Sequence, residues 1–394
     1  MKWPADRITH SSKKSYGLYE QAQHLSAQGI DLIHLGIGRP NFDTPTHIKK
    51  ATIKALQDGV VHYGDFAGDL EFRRAIAKKV SAENQILVDC EEIIVVNGLS
   101  QGAYASCMAA LDPGDEVIFL DPYYPQHINR VELTGAIPVF VALDSENEFA
   151  LDCHAIENKI TTKTKMIILV NPANPTGRAY SQSELQSLAD LAIKYDLLVV
   201  SDEVYEKILY EDAKHTSIAS IDGMKSRTIT LFAFTKIYAM DGWRLGYIVA
   251  DKAMIPDLLK ITTNESTHVN VFIQAGGLSA IISSDDCVEQ MVREDKRRRD
   301  LVVNRLNAMP QVSCANPNAT IYAFPNISAT GLSSDLVAKN ILEQCHVVVE
   351  SGAFYGANGE GYLRLCFGAE EYSRLELAMD RLDVFFKQAN SQRT

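Results

Sequence analysis

Between residues 90 and 250 the chain repeats one pattern, a short apolar run that stops at polar or small residues. Glu92 to Val96 stops at Asn97-Gly98, Glu116 to Leu120 at Asp121-Pro122, and Met166 to Val170 at Asn171-Pro172. Leu197 to Val200 runs into Ser201-Asp202, Thr228 to Ala233 comes just before Thr235-Lys236, and Gly246 to Ala250 closes the series. Runs of this length and composition suit strands buried on both faces. Helical spacing fills the gaps, most clearly where Ser181-Gln-Ser-Glu184 forms a capping box ahead of Leu185, Leu188, Ala189 and Ala192. The alternation predicts an α/β fold with a large, open, mostly parallel sheet covered by helices on both sides. Ligands of such sheets sit beyond the carboxyl ends of the strands. The polar residues that end these runs are therefore expected on one edge.

Residues 285–394 follow another pattern: a long charged helical stretch, a strand-like Thr320 to Phe324, a helix near Ser334 to Cys345, and Tyr362 to Phe367 before a final helix. This predicts a smaller α+β domain. The first 45 residues are too short and polar to form a core alone and are expected to pack on that domain. The expected division is 1–45, 46–284 as the large domain, and 285–394, and 394 residues suit one large and one smaller domain.

Composition narrows the function. A formal net charge of −12 argues against nucleic-acid binding, which relies on clustered Lys and Arg. The one basic run, Arg293 with Lys296 to Arg299, is interrupted by acids and reads as a solvated helix face. Seven scattered cysteines without CxxC spacing read as reduced thiols, and ten histidines without paired ligand spacing give no metal site. The N-terminus lacks a signal-peptide pattern, and no apolar run has the length of about 18 residues that a membrane span needs. The expected compartment is the cytoplasm, with no membrane partner.

Candidate chemistry lies where the strands end. Phe234-Thr235-Lys236 puts an amine at a strand terminus, with Arg244 eight residues on; an amine desolvated beside cations loses its proton and can condense with an aldehyde. Asp202 ends another run and could hold the proton of a pyridine nitrogen, with Tyr205 three residues later. Asn174, in Asn171-Pro-Ala-Asn174-Pro-Thr-Gly177, sits in a rigid turn and can offer an amide hydrogen. Asn97-Gly-Leu99-Ser100-Gln101 opens a helix after a strand, an arrangement that receives phosphate on backbone amides. Taken singly, these residues have ordinary readings as loop charge, helix cap, packing and turn.

Together and in order, NPANPTG, SDEVY and TKxxxxxGWRxG resemble the fold-type I pyridoxal-phosphate enzymes, within them the class I aminotransferases related to aspartate and aromatic enzymes. The resemblance runs from Leu35-Gly-Ile-Gly38 to Arg364. It implies a fold-type I transferase that carries pyridoxal 5′-phosphate as a Schiff base on Lys236, which also moves the substrate proton. Asp202 would hold the pyridinium, Tyr205 and Asn174 the ring oxygen, and Tyr124 would stack on the ring. Leu99, Ser100, Gln101 and Arg244 would surround the phosphate, as would Tyr63 of a neighbouring subunit, so that a homodimer shares its active sites. Arg364, with Gly38 and Asn174, would bind the substrate carboxylate.

Three positions depart from the family pattern. Ala233 stands where a phosphate-binding serine is common, with Thr235 as a substitute, and Arg39 stands where glutamate is common. Ser100 occupies the place of a lysine that some relatives use for an acidic side chain. The resemblance implies amino transfer between an L-amino acid and a 2-oxo acid. The same chemistry could instead serve an amino-acid oxidase or desaturase, for example one acting on arginine, or a β-eliminating lyase.

Overall fold

The computed structural model describes residues 3–10 and 18–391. Strand β1 is Ile33–His34, and then come β2 (Ile93–Val96), β3 (Glu116–Asp121), β4 (Ile137–Ala142), β5 (Thr164–Val170), β6 (Leu198–Asp202), β7 (Thr228–Ala233) and β8 (Gly246–Val249). Strands β2 to β8 form one seven-stranded sheet in the order β2-β8-β7-β6-β5-β3-β4. Both neighbours of β8 pair with it antiparallel, and every other pairing in this sheet is parallel. Side-chain alternation sorts the apolar runs between the two faces. Ile93, Val95, Phe232 and Tyr247 pack with Phe72 and Ile76, while Ile94, Val96, Leu231 and Ile248 pack with Ala103 and Cys107 on the other side.

All six strands expected from buried runs are present within a residue or two at each end. The seventh, β4, carries an apolar run as well, Ile137 to Leu143, which the reading of the chain passed over. It lies on the sheet edge with Ile137 and Phe140 exposed and holds Pro138, which an edge strand tolerates. The helix Gln182–Lys194 begins with the expected capping box between Ser181 and Glu184.

Beyond the sheet, strands β9 (Tyr322–Ala323), β10 (Val347–Val348), β11 (Glu350–Ser351) and β12 (Leu363–Cys366) lie among the helices Asp286–Asn307, Ser334–Cys345 and Tyr372–Ser391. Strand β12 pairs antiparallel with β11 and β9, and β1 pairs parallel with β10. Ala22 and Leu32 join Leu342 and Val348 in one apolar cluster. The strand expected over Thr320 to Phe324 shrinks to two residues. Thr320 takes a φ of +65°, a left-handed conformation that a β-branched residue seldom adopts, and that breaks the extended run at its start.

The basic run is only partly a solvated face. Arg299 is 1% exposed, its guanidinium forks onto Glu211 at 2.7 and 2.6 Å, and it lies over the Tyr210 ring. Arg298 is buried beside Asp295, 3.7 Å away. Burial pushes the Asp295 carboxyl up to about 7, with Arg298 opposing, and its Oδ1 has no hydrogen-bond partner. Because the folded value lies above the unfolded one, the folded state keeps its proton while the unfolded state releases it. This site therefore costs stability progressively as pH rises from about 4 to about 7. Asp295→Asn is expected to raise stability at pH 8, with a ceiling of roughly 4 kcal/mol at about 1.4 kcal/mol per pH unit. Denaturant melts across that range check it, and an equal gain at pH 4 would contradict the assignment.

Candidate active site

The parallel register sets the carboxyl ends of β5, β6 and β7 side by side. Val170 lies opposite Asp202, and Asp202 opposite Leu231, while across β8 Ala233 lies opposite Gly246. Over this edge opens a cavity of about 490 Å³. Lys236, Asp202, Tyr205, Asn174, Tyr124 and Thr235 all line it, as do Leu99, Ser100, Arg244, Gly38 and Arg364. Residues from Gly38 to Arg364 thus meet at one point.

Each of these groups is held by a neighbour. Lys236 follows β7 in the short helix Phe234–Ile237, and its Nζ donates to the carbonyl of Gly38. Burial lowers its pKa; Cys366 and Asp241 oppose the fall, and Arg364 and Arg244 add to it. The shift favours the neutral amine, the form that is nucleophilic. Asp202 accepts at Oδ2 from His127 Nε2 at 3.0 Å and at Oδ1 from the Val204 amide at 3.3 Å. The Tyr205 and Tyr322 hydroxyls are 2.7 Å apart. A side chain at Gly38 would collide with that same Tyr322 hydroxyl, so only glycine fits there.

Arg364, 6% exposed, is a cation held by neutral acceptors. Its Nη1 donates to Asn174 Oδ1 at 3.1 Å and its Nη2 to the Gly36 carbonyl, and its guanidinium lies between the Tyr322 and Tyr355 rings at 4.5 and 4.8 Å. Arg364 Nε has no hydrogen-bond partner. A buried guanidinium without a carboxylate within ion-pair distance, among the described residues, suits an incoming carboxylate. Because Asn174 Oδ1 is taken by Arg364, the amide Nδ2 is left to donate into the cavity.

At another wall, the helix Leu99–Ala110 starts without a side-chain cap, after Gly98 at φ +78°. A Cβ on Gly98 would come 2.6 Å from Arg244 Nη2. Uncapped helix amides beside a guanidinium make an anion cradle.

Gln101 does not line this cavity, and Tyr63, expected to reach the site of a neighbouring subunit, stands on the surface. The Gln101 side chain turns away to the Asn97 amide at 2.7 Å and to Ser266 at 2.9 Å, bracing the loop before the helix. Tyr63 is 91% exposed, with its ring edge-on to His268. Arg39 is exposed next to the lining residue Gly38, and Ala233 is buried at the end of β7. Five residues at the site carried no signal in the reading of the chain: His127, Arg130, Tyr322, Glu350 and Tyr355. The one available hint was the spacing of His127 and Arg130 on the helix after Asp121-Pro122, which puts both on one helix face.

The family model for "Aminotransferase class I and II" matches residues 30–382. The chain belongs to the class I and II aminotransferases. It is 41% identical over 361 residues to an aspartate aminotransferase of Pyrococcus abyssi, covering 91% of this chain and 92% of that protein. It is 39% identical to aromatic-amino-acid aminotransferase 2 of Thermococcus litoralis, covering 92% and 94%. Among solved structures, the aromatic aminotransferase from Pyrococcus horikoshii superposes with a TM-score of 0.90 at 39% identity, covering 95% and 99%. The aspartate aminotransferase of Thermus thermophilus with maleate gives 0.93 at 32% identity, covering 98% and 100%. These likenesses support an aminotransferase and not the oxidase, desaturase or lyase alternatives.

The family is in general pyridoxal-phosphate dependent, and the donor set of this aminotransferase fits that cofactor. It offers an amine with a lowered pKa, a carboxylate at the strand edge, and an uncapped helix terminus with a guanidinium. Among the described residues no helix is long and apolar enough to cross a membrane.

Proposed function

We propose that Lys236 of this aminotransferase holds pyridoxal 5′-phosphate, and that Arg364 holds the carboxylate of the L-amino acid or 2-oxo acid whose amino group is exchanged. The observation carrying this reading is the pair of buried bases on one cavity, Lys236 on a carbonyl and Arg364 on neutral acceptors, with Asp202 facing the same space. When bound, the cofactor supplies an electron-withdrawing ring that lets the substrate Cα–H ionise. Asp202 holds the proton on the ring nitrogen. Asn174 Nδ2 and the Tyr205 hydroxyl would hold the ring oxygen, and Tyr124 would pack against the ring. The first amides of the helix from Leu99 through Ser100, with Thr235 and Arg244, hold the phosphate. Lys236 Nζ would take the proton from the substrate Cα and deliver it to C4′ of the cofactor, the one base among the described residues placed to serve both carbons.

Residues 1–45, 46–284 and 285–394 form the units of this reading, with the cavity at their junction. A second copy completes it. Val60, Val61, Phe66 and Leu70 are exposed around Tyr63, an apolar surface that association would cover and from which Tyr63 would reach the partner's phosphate. The seven unpaired cysteines suit the reducing cytoplasm.

The test is a single-turnover half-reaction without oxygen. The loaded protein, sedimenting as a dimer, is expected to convert one amino acid per site into its 2-oxo acid and to be restored by a second 2-oxo acid. Steady-state rates should give parallel double-reciprocal lines, and converging lines or a need for oxygen would overturn the reading. Aspartate and aromatic amino acids, named for the relatives, are the first donors to try.

A further inference from the structure

Behind Asp202 lies a second layer of polar groups that the mechanism above does not use. His127, in the helix Gln126–Thr134, is 1% exposed. Its Nε2 meets Asp202 Oδ2 at 3.0 Å, and its Nδ1 meets Arg130 Nη1 at 3.1 Å. Arg130 is itself buried, and its Nη2 donates to Gln126 Oε1 at 3.5 Å. A guanidinium has donors and no acceptor. The Nδ1 that receives it must therefore carry a lone pair, so the single ring proton sits on Nε2 and points at Asp202. A proton on Nδ1 would set two donors and two positive charges face to face in a buried site.

We propose that Arg130 is a positioning residue that locks His127 as the neutral Nε2–H tautomer, so that Asp202 receives a hydrogen bond and not a counter-ion. The consequence for the cavity rests on the reading that Asp202 faces the cofactor's ring nitrogen. A neutral donor orients the carboxylate and leaves its negative charge to be spent on that nitrogen. An imidazolium in the same place would neutralise Asp202 from behind. The charged groups around His127 are few: Asp202 from β6 and Arg130 from its own helix, with the hydroxyl-bearing Tyr123, Tyr124 and Tyr180 on the space beside it. Burial drives its pKa down; Asp202 opposes and Arg130 reinforces the fall.

The inference can be tested by nitrogen NMR of the pyridoxal-phosphate-loaded protein carrying ¹⁵N-histidine, with the His127 signal assigned by its loss in His127→Gln. In the wild type, Nδ1 is expected to stay unprotonated and Nε2 protonated from about pH 6 to about pH 9. In Arg130→Met, His127 should begin to titrate, with an apparent pKa higher by about one unit or more. The cofactor's visible absorption should change its pH dependence in step, and kcat should fall about tenfold, as when a partner that orients a functional ligand is removed. Because Arg130 also lines the cavity, KM for the amino acid is a control and should move less than kcat. Arg130→Lys, which keeps a donor and a charge, should restore most of the NMR signature.

A wild-type ring protonated on Nδ1 would overturn the proposal even if the methionine variant fails to fold. So would an Arg130→Met protein whose His127 keeps its tautomer and charge. If the NMR changes as expected while the visible spectrum does not respond, Arg130's role stands and the placement of Asp202 against the cofactor falls.

Discussion

Replacing Lys236 by alanine is expected to lower turnover by about four orders of magnitude or more, since one residue supplies both the amine that holds the cofactor and the base that moves the Cα proton. The fold should survive. Lys236 makes one hydrogen bond, to the carbonyl of Gly38, and burial already disfavours its charged form. Thermal melting of the unloaded variant should therefore match or exceed that of the unloaded wild type. Lys236→Arg separates charge from nucleophilicity. A guanidinium keeps the positive charge and the length but does not become neutral in a protein, so it should be nearly as inactive as alanine. The measurement is a single-turnover half-reaction together with the absorption of the bound cofactor. Full turnover in Lys236→Ala would remove Lys236 from the mechanism.

A second large effect is expected from Arg364→Leu, on substrate and not on cofactor. Truncating one partner of a buried, hydrogen-bonded charge pair costs about 2–5 kcal/mol, so kcat/KM should fall by roughly 30- to 5,000-fold, chiefly through KM. Cofactor affinity should fall less than substrate affinity, because the substitution frees only Asn174 Oδ1 on that side and leaves Lys236, Asp202 and the phosphate cradle with their partners. Arg364→Lys is expected to recover only part of the loss, since an ammonium lacks the planar fork and stacks poorly between Tyr322 and Tyr355. Titrating the loaded protein with unreactive mono- and dicarboxylates gives the binding term directly. An unchanged affinity for all of them in Arg364→Leu would place the substrate carboxylate elsewhere.

The two substitutions probe different walls of one cavity, and their effects should be separable. Lys236 lies at the end of β7 and Arg364 within β12, and Gly36 and Gly38, on the stretch after β1, receive a hydrogen bond from each. A double variant that binds the cofactor reversibly and shows no preference for carboxylates would match this separation. Some coupling is expected on top of that separation, because Arg364 adds to the lowering of the Lys236 pKa and both side chains hydrogen-bond the same stretch of backbone.

Much of this was legible in the chain because it is local. A buried strand needs a short apolar run, and a strand end in a parallel sheet faces the ligand edge, so Asp202, Lys236 and Asn174 could be assigned to that edge from their neighbours in sequence. The capping box at Ser181 and the uncapped helix start after Gly98 are also set by a few adjacent residues. The order of motifs then named the family. What depends on partners far along the chain was not legible. The His127 to Asp202 contact spans 75 positions and the Arg364 to Asn174 contact 190. The apolar run of β4 does not tell that the strand lies on the sheet edge with Ile137, Phe140 and Ala142 exposed, and nothing near Gln101 tells that its amide turns back to Ser266. Arg298 and Arg299 looked like solvated charge until Asp295, Glu211 and Tyr210 were seen against them. By itself the sequence determined six strands of the sheet and the residues that end them, which follow from local burial and turn chemistry, and the order of its motifs, through their resemblance to a family, marked Lys236 as the candidate cofactor lysine. Tertiary structure alone decided which groups face each other across the cavity, because hydrogen bonds and ion pairs depend on distance in space and not along the chain.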